Sequence, residues 1–294
     1  MKRVEFHGIE CVEIANDYLS LLASISVGPR ILHCATPAGE NLFAELPGVT
    51  LECPGAGDFH FYGGHRLWAA PEDPGSTYLP DDRAVCFEQL EDGLRLTEDP
   101  HERSPLRKTL EIRMTTGSAG AVVRHTLTNQ GATSLRLAPW AITQFAPGGV
   151  AILPQCGIGP NGSPVLPNRQ LALWPYTDLG SEALRWRDQA ILIQAGMRHG
   201  KLKLGYPNPA GWLGYWREGT LFVKRADYHA GADYVDLGSS SECYCDPRFL
   251  ELETLGPAAH LEPGCSTEHT EVWSVHEHVR WTDDLAGIYS AVDG

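Results

Sequence analysis

Short runs of β-favouring residues, each ended by glycine or proline, follow one another along this sequence. The chain of 294 residues contains 31 glycines and 21 prolines, and turns of this kind separate about twenty segments that are typical of strands. One example is the pair 106–115 and 121–128, which Gly117 and Gly120 divide. The pattern predicts an all-β fold of large stacked antiparallel sheets. We expect residues 1–294 to form a single domain, since β-sandwiches of this length commonly do.

One segment has a helical signature. Ser181 is a suitable N-cap residue for a short helix over 182–189. The sequence therefore predicts very little helix.

The balance of charges limits the partners that the chain can have. It carries 23 Lys and Arg against 37 Asp and Glu, a formal net charge of −14. Such a surface repels phosphates, so we expect neither nucleic acid nor membrane as a partner. No stretch approaches the roughly 20 apolar residues of a membrane span, and the apolar run 18–27 follows acidic residues, which favours a strand over a signal peptide.

The number and spacing of the cysteines indicate the redox environment in which the protein works. Eight are present and none forms a CxxC pair, so the zinc-ribbon and thioredoxin signatures are missing from the sequence. Scattered thiols fit a reducing environment better than a disulfide scaffold. We expect a cytoplasmic protein that is a monomer or a homodimer.

The segment 249–255 alternates along its whole length. In a strand, Leu250, Leu252 and Thr254 share one face, while Glu251 and Glu253 lie on the other face with Phe249 and Leu255. Strand interiors usually avoid glutamate, and two neighbouring carboxylates repel, which raises the pKa of one of them. The pattern indicates a site that handles protons on a polar ligand. The alternative is the solvent-facing side of an ordinary strand.

The segment 58–72 combines histidine, aromatic residues and glycine. Its Gly63-Gly64 pair lets the backbone approach a ligand closely, and it brings donors, acceptors and a stacking surface together in a way that is typical of binding loops. The alternative is a packed surface loop. A metal site through His60 and His65 lacks any recognised ligand spacing, so we predict none. The candidate residues here are His65, Arg66, Trp68 and Glu72.

Single residues elsewhere complete the candidate set. Trp140 and Gln144 are a saccharide-binding combination, because an indole stacks on sugar C–H faces while an amide pairs with hydroxyls. The alternative for this pair is a core tryptophan beside a satisfied amide. His125 lies on an apolar strand face, where a hydrogen-bonded core histidine is the alternative to a catalyst. Arg30, which follows a Gly-Pro turn, and Lys224 are each a ligand contact or a solvated charge.

Three stretches of the chain resemble the galactose mutarotase-like superfamily, which includes the aldose 1-epimerases. They are Leu252-Glu253-Thr254 within 249–254, the turn and last strand from Leu261-Glu-Pro-Gly264 to Trp273, and the central pair from Thr126 to Gln144. The resemblance implies a β-supersandwich with a sugar site on a concave sheet face, and it makes Glu253 the catalytic base. The segments 63–72, 222–225 and 251–257 look closer to an uncharacterised bacterial subgroup of the DUF4380 type.

One departure from that family concerns the general acid. Where true mutarotases carry a histidine on the central strand pair, this chain has Trp140. The expected acid is therefore His65 or His125, unless this branch performs different chemistry.

The leading hypothesis is an aldose 1-epimerase-like enzyme that needs no cofactor. Opening a sugar ring requires a base at the anomeric hydroxyl and an acid at the ring oxygen. Glu253 would be the base, Glu251 would tune its pKa, and the other candidates would hold a small saccharide. The alternatives are a carbohydrate-binding protein without turnover and another sugar-active enzyme, such as a lyase or hydrolase, on the same fold. The lack of a dense Arg/Lys cluster argues against a phosphorylated sugar.

Overall fold

A computed structural model describes residues 1–157 and 165–294. Within these residues the chain forms strands connected by short turns. In chain order the strands are β1 (Lys2–Phe6), β2 (Ile9–Ala15), β3 (Ser20–Ser24), β4 (Arg30–Ala35), β5 (Glu45–Cys53), β6 (Gly57–Ala70), β7 (Cys86–Gln89), β8 (Gly93–Glu98), β9 (Leu106–Met114), β10 (Gly120–Asn129), β11 (Leu135–Phe145), β12 (Val150–Pro154), β13 (Ala172–Leu173), β14 (Leu184–Trp186), β15 (Ala190–Gln194), β16 (Leu202–Tyr206), β17 (Trp212–Arg217), β18 (Thr220–Arg225), β19 (Ser241–Cys245), β20 (Leu250–Leu255), β21 (Ala259–Leu261) and β22 (Ser266–His276). The helical segments are α1 (Val235–Gly238) and α2 (Ala286–Asp293).

The strands of the described residues form two large antiparallel sheets. The 12-stranded sheet has the order β1-β2-β3-β4-β6-β11-β20-β19-β16-β13, with β5 paired to β6 and β21 paired to β11. The 10-stranded sheet has the order β14-β15-β12-β17-β18-β22-β10-β9-β8-β7. The predicted all-β architecture with very little helix is confirmed.

The apolar core lies between the two sheets. It forms because alternate residues of each strand point inward. Leu250 and Leu252 of β20 pack in the same core cluster as Val123 and Leu127 of β10. We call the core-facing side of the 12-stranded sheet its inner face and the opposite side its outer face.

The segment that was expected to be a binding loop is instead β6, a strand of 14 residues. Gly63 and Gly64, with φ of 97° and 70°, kink this strand where it meets its neighbours. A Cβ atom at Gly64 would lie 2.1 Å from the carbonyl oxygen of Ile31, so a side chain there would break the pairing with β4. The kink lets one strand pair with β5, β4 and β11.

The predicted helix over 182–189 is wrong. Leu184–Trp186 is the short strand β14, which pairs with β15, because Leu184 finds its buried position opposite Ile193. Tertiary pairing overrides the capping signal of Ser181 here. The longer helix, α2, buries Ile288 and Val292 at the end of the chain.

Among the described residues, no helix is long and apolar enough to span a membrane.

Candidate functional site

The outer face of the 12-stranded sheet gathers most of the predicted site residues. Strand register places Trp140 between Trp68 and Leu255, and Gln144 between Gly64 and Glu251. Because side chains alternate along each strand, Arg66 and Glu253 stand in the intervening row, opposite Ile142. The alternation of 249–255 therefore holds in the structure, with both glutamates on one face.

One group of contacts on this face is built around Glu251. Arg66 Nη2 and Gln144 Nε2 both donate to Glu251 Oε1, each over 2.9 Å. The guanidinium carbon of Arg66 lies 4.1 Å from the centroid of the Trp68 ring, which places the cation over the indole. Burial raises the pKa of Glu251 while Arg66 opposes the rise, and the charge of Glu253 adds to it.

A second group of contacts is built around Lys203 of β16. Its Nζ atom lies 2.8 Å from Glu242 Oε2 and 2.9 Å from Glu253 Oε2. Trp140 Nε1 also donates to Glu253 Oε2, over 2.6 Å. Burial acts to lower the pKa of Lys203, but the two carboxylates outweigh it, so this pKa lies well above its ordinary value. Lys203 is therefore a fixed cation between two glutamates.

We call the set around these two centres the outer-face cluster. Its members, all nearly inaccessible to solvent, are Arg66, Trp68, Trp140, Gln144, Lys203, Glu242, Glu251 and Glu253.

Aromatic and acidic side chains surround the cluster. Lys203 Nζ lies 4.6 Å from the ring centroid of Trp174 and 4.5 Å from that of Trp140. Tyr176, two residues further along the chain, is exposed, and the partial burial of its phenol raises its pKa. Glu72 is exposed and accepts a hydrogen bond from the Tyr78 hydroxyl over 2.6 Å. The rim thus offers stacking surfaces beside hydrogen-bonding groups.

Several polar atoms of the cluster have no hydrogen-bond partner among the described residues. They are Nε and Nη1 of Arg66, Oε1 of Gln144, Oε1 of Glu253 and both carboxyl oxygens of Glu242, of which Oε2 has only the ion-pair contact with Lys203. A buried polar group without a partner is costly. Unpaired donors and unpaired acceptors that occur together in one site match the paired hydroxyl groups of a saccharide.

Three of the predicted site residues lie between the two sheets and not on the outer face. His65 follows the alternation of β6 to the inner face, opposite Thr143, while Arg66 points outward. His125 and Lys224 belong to the 10-stranded sheet and are fully buried between the sheets. His65 and His125, the expected acids, therefore do not share a face with Glu253, and Lys224 does not lie with the residues of the outer face.

Arg30 is also placed differently from the expectation. Its guanidinium is fully buried and pairs with Asp81 Oδ2 over 2.7 Å. It also donates to the backbone oxygens of Phe61 and His60. These contacts connect β4, which carries Arg30, to β6 and to the segment around Asp81. Arg30 therefore stabilises the sheet and does not present a free cation to a ligand.

The inward-pointing residues form a polar set that we call the inter-sheet network. Its members are His65, Thr143 and Thr254 from the 12-stranded sheet and His125, Lys224, His269, Glu271 and Trp273 from the 10-stranded sheet.

Hydrogen bonds fix the tautomers of two of its histidines. His125 Nδ1 lies 2.9 Å from the carbonyl oxygen of His269 and must donate to it, so His125 Nε2 is an acceptor. His65 Nε2 is 2.7 Å away and therefore donates, which leaves His65 Nδ1 to accept from the Thr143 hydroxyl. Burial lowers the pKa of both imidazoles, in keeping with neutral rings.

The charge in the network is an ion pair. Lys224 Nζ lies 2.6 Å from Glu271 Oε1, and both side chains are inaccessible. Burial acts to raise the pKa of Glu271, but the charge of Lys224 outweighs it and holds this pKa below its ordinary range. His65, His125 and Glu271 also have ligand atoms within 4.8 Å of one another, a spacing that suits a metal ion. The ion pair and the fixed imidazoles already use these atoms.

Sequence reasoning missed Lys203 and Glu242. Each is a charged residue within an apolar strand, in Leu-Lys-Leu-Gly-Tyr and Ser-Glu-Cys-Tyr-Cys respectively. That pattern is the same signal that drew attention to Glu253. It could have identified both residues, but not their pairing, because Lys203 contacts Glu253 across two strand boundaries.

Comparisons with solved structures give the fold. A galactose mutarotase-like protein from Lactobacillus casei ATCC 334 is 10% identical and has a TM-score of 0.58; the match covers 90% of this chain and 100% of that one. A candidate aldose 1-epimerase from Escherichia coli K12 is 13% identical with a TM-score of 0.55, covering 91% and 99%. One from Klebsiella pneumoniae is 12% identical with a TM-score of 0.62, covering 97% and 83%.

No family model matches the chain, and no curated protein matches it. The nearer resemblance to the DUF4380-type subgroup stays a prediction. At these identities the likeness concerns the fold, and the two large antiparallel sheets agree with it. The chain has the galactose mutarotase-like fold.

Proposed function

We propose that the chain binds a saccharide at the outer-face cluster and interconverts its anomers, as an aldose 1-epimerase-like enzyme. The observation that carries the proposal is the environment of Glu253. Its Oε2 is held by Lys203 and Trp140, while its Oε1 is buried and has no partner in the described part of the chain. A carboxylate with one oxygen anchored and the other available is suited to accept a proton at a defined position.

The remaining members of the cluster would hold the sugar. Arg66 and Gln144 each use one group on Glu251 and keep others free, so they can pair with neighbouring hydroxyls. Trp174 and Tyr176 at the rim supply aromatic surface for the C–H faces. Glu251 orients the arginine and the amide by accepting a hydrogen bond from each.

We infer a neutral sugar as the ligand. The cluster holds three carboxyl groups, those of Glu242, Glu251 and Glu253, and two cations, those of Arg66 and Lys203. Both cations already contact carboxyl groups, so an added phosphate would find no unpaired positive charge.

A second candidate is a carbohydrate-binding protein without turnover. It is favoured by the contact of Lys203 with Glu253, because an ammonium group that stabilises a carboxylate also weakens it as a base. Trp140 in the place of the usual acid points the same way. Binding would then use the same surface without a proton transfer.

We also propose that residues 1–294 act as one cytoplasmic domain, a monomer or a homodimer, that works without a cofactor. All eight cysteines are free thiols, which supports a location in the reducing cytoplasm.

Exchange NMR on a panel of aldoses tests the proposal. We expect the wild-type protein to speed the interconversion of α and β anomers for at least one sugar. Glu253→Gln should lose the acceleration while ligand-induced shifts remain. The matched control is Glu268→Gln, an exposed glutamate on β22 of the other sheet, which should behave as wild type. Shifts without acceleration in any sugar would favour the binding candidate, and no effect of either kind would contradict both.

A further inference from the structure

The proposed ring opening lacks a proton donor among the residues that sequence reasoning named. His65 and His125 lie on the inner face, and Trp140 uses its only polar hydrogen on Glu253. The donor must stand close to the base, because the anomeric hydroxyl and the ring oxygen are bonded to the same carbon. A side chain that neighbours Glu253 on the outer face is therefore required.

We propose that Glu242 is the catalytic acid, which protonates the ring oxygen while Glu253 takes the proton of the anomeric hydroxyl. This inference rests on the proposed epimerase function. Glu242 and Glu253 are directly opposite each other on the paired strands β19 and β20. Opposed residues of this kind have Cβ atoms about 4.5–5.5 Å apart on one face. Lys203 Nζ contacts a carboxylate oxygen of each.

The surroundings of Glu242 favour the protonated form of its carboxyl group. Both carboxyl oxygens of Glu242 are buried without a hydrogen-bond partner among the described residues, and Oε2 has only its ion-pair contact with Lys203. Burial raises the pKa of Glu242 well above its ordinary value, with Lys203 opposing the rise and Glu253 and Asp236 adding to it. Two buried carboxyl groups that share a single ammonium favour a proton on one of them.

The backbone nearby makes room for this arrangement. Asp236 is presented from α1, where its φ of 50° and that of 60° at Leu237 give a left-handed turn. Gly205 lies opposite Glu242 on β16, and a Cβ atom there would be 3.1 Å from Glu242 Cγ and 2.5 Å from Ser239 Oγ. The absence of a side chain at Gly205 thus leaves space for the carboxyl group of Glu242.

The proton transfers balance without a co-reactant. Glu253 removes the proton from the anomeric hydroxyl, the C1=O1 double bond forms and the bond from C1 to the ring oxygen breaks. The ring oxygen takes a proton from Glu242. After rotation about C1–C2 the reverse transfers close the ring as the other anomer, and each carboxyl group regains its starting state. Lys203 contacts both groups, so it can stabilise the negative charge on either one.

The kinetic test compares Glu242→Gln with Glu253→Gln and the Glu268→Gln control, using the sugar that the wild-type protein exchanges. Glutamine keeps the shape of the acid but cannot donate a carboxyl proton. We expect the exchange rate of Glu242→Gln to fall by about 10²–10⁴-fold, with ligand shifts and thermal midpoint retained. The wild-type rate should decline on the alkaline side, where the acid loses its proton, and the variant should lack this decline.

A second variant and a second readout guard against a merely structural effect. Asp236→Asn removes a neighbouring acid, so the alkaline decline should move to lower pH. Independently of activity, the infrared band of a protonated carboxyl should be present in the wild-type protein at neutral pH and weaker in Glu242→Gln.

Two results would overturn the role of Glu242 while leaving the epimerase function intact. One is an exchange rate of Glu242→Gln equal to that of an active wild type, and the other is an infrared band that Glu242→Gln leaves unchanged. A wild-type protein that exchanges no sugar would instead remove the epimerase function, and the donor role with it.

Discussion

Glu253 and Thr254 are consecutive in the chain, yet their side chains serve opposite faces of the same strand. Glu253 contacts Lys203 and Trp140 on the outer face. Thr254 donates to Glu271 over 2.5 Å and accepts from His269 on the inner face. The pair therefore separates two roles, since one residue belongs to the candidate site and the next to the contact between the sheets.

This separation predicts different effects for two neighbouring substitutions. Glu253→Gln should abolish anomer exchange in a protein that still folds, because Lys203 keeps Glu242 as a partner. Thr254→Val should lower the free energy of unfolding by about 1–3 kcal/mol, because His269 and Glu271 each lose a buried partner, and should keep the exchange rate of the folded protein. Urea unfolding and exchange NMR on the same samples measure both effects. Equal loss of activity in both variants would contradict the separation.

The buried ion pair of the inter-sheet network predicts a strong asymmetry between single and double substitutions. Lys224→Met should destabilise the protein by about 3–5 kcal/mol, because Glu271 is left as an uncompensated buried charge. Combining it with Glu271→Gln should recover part of that loss. Denaturant unfolding of the two single variants and the double variant forms the test. Additive losses in the double variant would show that the two side chains do not depend on each other.

The pKa values of the network predict that stability falls in acid. Burial lowers the pKa of His269 from 6.5 to about 3, so below pH 6.5 the unfolded chain binds a proton that the folded chain does not. The contribution is therefore fully present above pH 6.5 and is lost as pH falls towards 3, by about 1.4 kcal/mol per pH unit for one full proton. The lowered pKa of Glu271 acts in the same direction below its ordinary value of 4.5.

His269→Gln provides the matched comparison, because the amide can still donate to Thr254. Its unfolding free energy, measured between pH 7 and 4, should depend less steeply on pH than that of the wild type. A slope equal to that of the wild type would show that His269 does not titrate as the structure implies.

The charge balance of the outer-face cluster predicts discrimination against phosphorylated sugars. If an aldose binds, its phosphate ester should bind at least about tenfold more weakly, because Arg66 and Lys203 already pair with carboxyl groups and leave no free cation for a phosphate. Titration calorimetry with both ligands measures the difference. Glu251→Gln should reduce it, since one negative charge is removed, and tighter binding of the phosphate ester would contradict the inferred ligand class.

The sequence was informative where a strand could be interpreted by itself. The alternation of 249–255 correctly predicted that Glu251 and Glu253 share a face, because side-chain direction in a strand depends only on position. The faces of His65 and Arg66 could not be predicted once their segment was taken for a loop. Lys203 meets Glu253 only through the order of the strands, which local patterns do not contain.

The inter-sheet network also has a consequence for how the two layers are aligned. Apolar side chains alone tolerate several alignments of one sheet over the other, since most exchanges of one aliphatic contact for another are small in energy. A slip of two residues along the strands would place Glu271 and Lys224 opposite leucine or alanine instead of Thr254, Thr143 and the carbonyl groups that they now contact. Charged and hydroxyl groups at the centre of an otherwise apolar interface therefore select one alignment of the two sheets. A polar core residue fixes the register of a coiled coil in the same way.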